Sequence, residues 1–352
     1  MTLRDAVRSA SNSVSQPARD FSRISANLSL PLAERLAAFR QLIDYEVGGT
    51  WVRRSRALER DFDRRGIYLK FEGDNPTGTQ KDRIAFAQVA DALAKGHRTI
   101  ELATCGNYGV AVALAARLAG LHCAIAVPAG YHTHRLTEME QLGATISRPP
   151  GSYEAAVAWS SARAVTEGHY DANPGEANAE LQLTAYSYIA DELLADLPRP
   201  PERVAVPVSN GTLLAGIHRG FVRLQQAGQL ATLPRMTAAS STRQNPIVAS
   251  FRQGLTECRD LDPDRIHETT INEPLINWHS FDGQFALDAV HQSHGDAANV
   301  SDEKMRKAAA YLREKEALQV LPASTAGLVA LIESEAQPSE QPLHVAVLTA
   351  KR

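Results

Sequence analysis

Residues 99–130, TIELATCGNYGVAVALAARLAGLHCAIAVPAG, read as strand, polar loop, helix and strand. TIELAT (99–104) and HCAIAVPAG (122–130) are apolar runs of strand length bounded by turn formers. GNYGVAVALAARLAGL (106–121) starts polar and continues as a helix. A strand–helix–strand unit of this kind pairs its strands in parallel.

The same alternation extends in both directions. On the N-terminal side lie a helix over 33–46, a strand IYLKF (67–71), a polar loop EGDNPTGTQ (72–80) and a helix starting near Lys81. On the C-terminal side the pattern predicts helix 135–143, strand 144–149, helix 152–168, helix 183–197 and strand 203–209. A loop leading into a helix (210–228), a strand (236–241), helices 302–318 and 325–336 and a strand 344–350 complete it. The fold class is therefore α/β with parallel sheets. Ligands on such sheets sit beyond the carboxyl ends of the strands. The loops at 72–80, 104–109 and 209–213 each follow a predicted strand, so all three can face one cleft.

Composition bounds the rest. The 352 residues suggest about two domains, or one large doubly wound one. Thirty-seven basic and forty acidic side chains leave a formal charge of −3, which gives no global field for nucleic acid or an anionic membrane. No apolar run approaches the roughly 18 residues of a membrane span. Cys105, Cys123 and Cys258 are too few and too unpatterned for a disulfide framework, and no C-x-x-C pair offers a metal site. A reducing cytoplasm fits these thiols. The Ser- and Arg-rich segment 1–27 lacks the apolar core of a secretory signal and reads as a mobile arm.

Three loops can carry chemistry. Asn75-Pro76-Thr77-Gly78-Thr79-Gln80-Lys81-Asp82-Arg83 places a lysine at a helix start, where the helix dipole disfavours an ammonium and lowers its pKa. Such an amine suits Schiff-base chemistry with an aldehyde. Taken alone, a solvated helix-start lysine paired with Asp82 explains it better. Thr104-Cys105-Gly106-Asn107-Tyr108-Gly109 offers backbone N–H groups for a carboxylate, or simply a capped turn. Cys105 reads better as a small buried thiol than as a nucleophile, because no His shares its loop. Ser209-Asn210-Gly211-Thr212-Leu213 opens a helix and can hold a phosphate on free N–H groups, although its spacing is neither a P-loop nor G-x-G-x-x-G.

In order, these loops resemble the pyridoxal-phosphate enzymes of the tryptophan-synthase-β fold (fold type II), the threonine synthases in particular. That family carries G-x-T-P-L followed by K-x-E-x-x-N-P-T-G-S-F-K-D-R. This chain has Gly48-Gly49-Thr50-Trp51-Val52, then Lys70-Phe71-Glu72-Gly73-Asp74 and the 75–83 loop. The family's S-x-G-N-x-G loop resembles 104–109, and its phosphate loop resembles Ser209 to Gly216. V-S-D-E resembles Val300-Ser301-Asp302-Glu303, and E-P-S-S-A-A resembles Leu321-Pro322-Ala323-Ser324-Thr325-Ala326. The terminal V-V-V-L-T-G strand resembles Val345 to Ala350. The likeness thus runs from about residue 45 to 350.

The resemblance implies two doubly wound parallel or mixed sheets, with a smaller mobile domain nested in a larger one. It places the small domain at 86–186, the large cofactor-binding domain at 45–85 plus 187–352, and an N-terminal arm and helix at 1–44. Pyridoxal 5'-phosphate is the implied cofactor. Lys81 would form the Schiff base and act as general base. Ser209, Asn210, Gly211, Thr212 and Leu213 would hold the phosphate, Asn107 the ring oxygen and Thr349 the pyridine nitrogen. Thr79, Thr104, Cys105, Gly106, Tyr108 and Asn178 would meet the substrate. A hydroxyl at the ring nitrogen, rather than an acid, suits elimination and replacement over transamination. Closure on substrate would exclude water. A homodimer in cytoplasmic amino-acid biosynthesis is implied as well.

Departures concern the substrate. The family's N-P-x-R-x-E-G-Q-K-T segment, whose Arg helps hold phosphohomoserine, corresponds to Asn178 to Thr184, with Asn178 in the Arg position. Losing a charged fork weakens a dianion site. Arg135, Arg148, His132 or His134 could bind an anion instead, although a solvated role explains each. Threonine synthase is the nearest activity, with a substrate-divergent relative beside it. Serine/threonine dehydratase, cysteine-synthase-type β-replacement and a catalytically retired regulatory subunit are the alternatives.

Overall fold

The computed structural model describes residues 15–104, 106–131, 135–334 and 342–351. In chain order its first elements are α1 (Gln16–Ser25), α2 (Leu32–Glu46), β1 (Val52–Arg54), α3 (Arg56–Asp61), β2 (Ile67–Phe71) and α4 (Lys81–Ala94). Next come β3 (Thr99–Ala103), α5 (Asn107–Ala119), β4 (His122–Ala126), α6 (Arg135–Gln141), β5 (Thr145–Ser147), α7 (Tyr153–Glu167) and β6 (Tyr170–Asp171). The remainder is α8 (Ala179–Asp196), β7 (Arg203–Pro207), α9 (Thr212–Gln226), β8 (Arg235–Ser241), α10 (Pro246–Arg252), α11 (Gly283–Gln292), β9 (Asp296–Val300), α12 (Asp302–Lys315), α13 (Ala326–Glu333) and β10 (His344–Leu348).

The chain divides into two compact units. The first takes the residues up to Gly48 with Asn75–Asn173, and the second takes Gly49–Asp74 with Pro174–Arg352. Lys81 thus lies in the unit that holds β3 to β6, whereas the expected boundaries stand at 86 and 186.

In the first unit a four-stranded parallel sheet runs β5-β4-β3-β6. Its helices start and stop where side chains or glycines satisfy their ends. The Ser152 hydroxyl accepts the Ala155 N–H, and Gly120 and Gly168 close α5 and α7 in the left-handed conformation. Phe39 of α2 lies parallel to Phe86 of α4, with centroids 5.9 Å apart, and both rings are fully buried. Burial of each such ring contributes about 2–3 kcal/mol. The expected arm differs in part: from Gln16 the chain is helical. Ser15 caps α1, Ala18 has no exposed surface, and the Ser22 hydroxyl donates to the Leu118 carbonyl at 3.2 Å.

In the second unit the order is β1-β2-β10-β7-β8-β9, parallel except for β1 against β2. β7 (RVAVP) is buried throughout, as a strand covered on both faces must be. Register aligns Leu348 with Phe71 and Ala346 with Ala205. The carboxyl ends of β2, β10 and β7 therefore lie side by side, and the segments beginning at Glu72, Thr349 and Val208 leave the same sheet edge. α8 begins at Ala179 rather than near 183, after a single 3-10 turn over Glu176–Asn178.

Part of the family motif is structural. Lys70, fully buried, pairs with Glu192 at 2.5 Å and donates to the Thr50 carbonyl. The Thr50 hydroxyl donates to Glu72 at 2.7 Å, and the Gly49 N–H to Glu192 at 3.0 Å. These bonds pin the Gly49-Thr50 segment to β2 and α8. Removing one member of such a buried pair leaves the other charge uncompensated.

Candidate active site

In the first unit Lys81 is the first residue of α4. Its N–H donates to the Thr79 hydroxyl at 3.1 Å, and no side chain from Gln80 caps the helix. Asp82 turns inward. Both its oxygens accept the Thr77 hydroxyl at 2.9 Å, and Oδ2 also takes the Thr77 N–H at 3.0 Å. Burial raises its pKa to about 7, against the lowering effect of those bonds. The carboxylate therefore closes the 77–82 loop on itself. The Lys81 Nζ stands 5.7 Å from the Tyr108 ring centroid.

The corner after β3 holds Thr104, Gly106, Asn107 and Tyr108, and Tyr108 brings it to Lys81. The Thr104 hydroxyl accepts the Gly106 N–H at 3.2 Å. The Tyr108 hydroxyl is engaged in the interior: it donates to the Ala172 carbonyl and receives Gln88 Nε2, both at 2.8 Å. Tyr108 thus presents its ring to Lys81 while its hydroxyl anchors α5. Asn173 Oδ1 accepts the Ala103 N–H at 2.8 Å and so fixes the strand end. Asn107 Oδ1 accepts two N–H groups of Arg135, at 3.0 and 2.8 Å. Arg148 holds the Ala129 and Tyr131 carbonyls, each at 2.7 Å. Cys105, His132 and His134 lie outside the described residues.

In the second unit the corner after β7 is built around Gly211, at φ 93. A Cβ there would stand 2.7 Å from the Ala286 Cβ, 2.9 Å from Ile247 and 3.0 Å from the Asp282 carbonyl. Only glycine fits both the angle and the space. Carbonyls and side chains of the corner point toward the segment 245–282. The Ser209 carbonyl accepts Asn245 Nδ2 at 2.9 Å and the Ser280 hydroxyl at 3.0 Å. The Asn210 carbonyl accepts the Asp282 N–H at 3.1 Å, and its side-chain oxygen takes Asn277 Nδ2 at 3.0 Å. The Thr212 hydroxyl donates to Asp282 at 2.5 Å. With that hydroxyl engaged, the anion-binding capacity of the corner resides in the first-turn N–H groups of α9. Leu213 is a core residue here, almost fully buried.

Thr349 follows β10 at the sheet edge, nearly buried. Its hydroxyl donates to the Ser324 hydroxyl at 3.2 Å, and Ser324 also receives the Ala350 N–H at 3.0 Å. Asn178 ends the turn before α8, with no side-chain cap on that helix. Two residues on, Glu180 is held by both terminal guanidinium nitrogens of Arg219. The sequence reading missed Ser324 and Asp282 as partners of site residues. Among the described residues no group of three or more His, Cys, Asp or Glu could hold a metal, and no helix is long and apolar enough to cross a membrane. Burial raises both described thiols, Cys258 to about 11, so neither is a nucleophile at neutral pH.

Each unit carries groups whose own chemistry suits pyridoxal phosphate: the first an amine at a helix start, the second a backbone cradle that a Cβ would fill and a hydroxyl pair in place of an acid at the end of β10.

Comparison with known proteins agrees. Residues 43–350 match the family model described as "Pyridoxal-phosphate dependent enzyme". A threonine synthase from Methanocaldococcus jannaschii is 31% identical over 291 residues, covering 81% of this chain and 70% of the relative. Maize serine racemase superposes with a TM-score of 0.71 at 20% identity, over 90% of this chain and 93% of that one. The processed form of threonine deaminase isoform 2 from Solanum lycopersicum gives 0.72 at 15% identity, over 91% and 85%. The chain therefore belongs to the pyridoxal-phosphate-dependent enzymes of fold type II.

Proposed function

We propose that this enzyme performs elimination or replacement on an α-amino acid with a leaving group at Cβ or Cγ, in the manner of a threonine synthase. The observation that carries this reading is Lys81 at the start of α4, beside the Asn107 loop of the same unit. When bound, the cofactor supplies an electron sink that makes the α-proton of an amino acid removable. In this reading Lys81 would hold the cofactor through its Nζ, and the same amine would accept that proton. The first-turn N–H groups of α9 and the 209–213 corner take the phosphate. The Asn107 amide donates to the ring oxygen, and Thr349 with Ser324 meets the ring nitrogen. Thr79, Thr104, Cys105, Gly106 and Tyr108 orient the substrate carboxylate. A hydroxyl, which does not hold the ring nitrogen protonated, favours loss of a leaving group over transamination.

Asn178 favours a substrate other than phosphohomoserine, because an amide replaces the charged fork that a dianion needs. It equally supports a second reading, a serine/threonine dehydratase, since a hydroxyl leaving group needs no anion site. A homodimer and a reducing, cytoplasmic setting complete the proposal.

A substrate panel separates these readings. Phosphohomoserine, serine, threonine, O-acetylserine and O-phosphoserine are each incubated with the holoenzyme, and phosphate, keto acid and new amino acid are measured. Phosphate release from phosphohomoserine, enhanced in Asn178→Arg, supports the threonine synthase reading. Keto acid from serine or threonine, with no phosphate released, replaces it with the dehydratase.

A further inference from the structure

Arg135 is the first residue of α6, 28 positions after Asn107, and its side chain is only 17% exposed. Its Nη1 pairs with Glu138 at 2.6 Å, one turn along the same helix, and its charge acts on the buried Asp82 carboxyl. The remaining fork, Nε and Nη2, converges on a single acceptor, Asn107 Oδ1, at 3.0 and 2.8 Å. Two charge-assisted bonds to one oxygen decide which way the carboxamide faces. Turning the amide over would set its NH2 donors against guanidinium donors. The Asn107 nitrogen is therefore directed away from Arg135 and can only donate.

We propose that Arg135 is a positioning residue that locks Asn107 as a donor-only contact, and so selects the ionised form of the cofactor's ring oxygen. This rests on the reading that Asn107 meets that oxygen. A group that can only donate stabilises an oxyanion, whereas an amide free to flip presents its own oxygen and accommodates a protonated ring hydroxyl equally well. The two forms of the Lys81-linked cofactor are distinguishable by absorbance. The ionised oxygen gives the long-wavelength visible band and the protonated one a near-ultraviolet band.

The test is the ratio of these bands in holoenzyme without substrate, recorded for wild type, Arg135→Met, Arg135→Lys and Asn107→Ala. Arg135→Met should shift the ratio toward the near-ultraviolet form by about tenfold, the scale of a lost charged hydrogen bond. Asn107→Ala should do the same, and the double variant should add nothing further. Arg135→Lys, which keeps one charged donor, should recover most of the visible band. Where Arg135→Met does not fold, Arg135→Gln is read by the same criterion. A wild-type band ratio in a folded Arg135→Met or Arg135→Gln protein overturns the proposal, as does a lysine variant no better than methionine. If wild type itself shows no visible band bleached by borohydride, the cofactor reading beneath the proposal fails instead.

Discussion

Two strand–loop–helix corners, one in each unit, have similar sequences and opposite construction. The corner after β7 is fixed by its backbone: Gly211 sits at φ 93 with no room for a Cβ, and the Ser209 and Asn210 carbonyls are tied down by the 245–282 segment. The corner after β3 is fixed by side chains. Gly106 is extended at φ −168 with nothing within 4 Å of a Cβ, while Asn173, Tyr108 and Arg135 hold the strand end, the helix and Asn107. The difference matches what each is proposed to bind. A phosphate that stays put is served by a rigid N–H cradle, whereas a substrate that comes and goes needs open space.

The largest effect expected is from Gly211→Ala, which adds a Cβ at 2.7 Å from Ala286 on a backbone that alanine disfavours. Strain and overpacking together cost about 3 kcal/mol, and cofactor affinity should drop at least roughly tenfold. Thermal unfolding and a cofactor titration read both. Unchanged values in this variant would break the comparison at its stronger end.

Asn173→Ala attacks the other corner through a side chain. It removes the acceptor of the Ala103 N–H and the donor to Ser160, both buried. An expected loss of about 2 kcal/mol follows from a stranded N–H group, measured by urea unfolding.

Asp82 sharpens the contrast by pH. Its folded pKa, about 7, lies above the ordinary 3.8 because burial disfavours the charge. The native state thus binds an extra proton between about pH 4 and 7. The stability this contributes is full below pH 4 and is lost as pH rises through 7, by up to about 1.4 kcal/mol per pH unit. Asp82→Asn should flatten that slope in apo-protein melting curves. The smallest effect is Gly106→Ala, which should move stability by about 0.5 kcal/mol or less while raising the KM for the amino acid, because its methyl projects into open space.

Legibility followed locality. β2 and the start of α4 were readable to the residue, because an apolar run and a proline-glycine turn are local signals. α1 was not, because the few apolar residues of QPARDFSRIS are set among Arg19, Asp20 and Arg23, and only Ala18 and Ser25 are buried. The short β1 and β6 and the stretch holding α10 and α11 escaped for similar reasons. In the site, Lys81 and the three loops were visible as turn chemistry. The Arg135–Asn107 link spans 28 residues and the Thr212–Asp282 link spans 70, so only the folded chain shows that these side chains meet. The same distance effect hid the part played by Thr50, Lys70 and Glu72, motif residues that tie segments together within the second unit.

The central claim, that Lys81 carries the cofactor, is tested most directly by borohydride reduction of the holoenzyme followed by peptide mass mapping. The expected result is bleaching of the visible band and a stable pyridoxyl group on Lys81. A pyridoxyl group on Lys70 or any other lysine, or none after reduction, would contradict it.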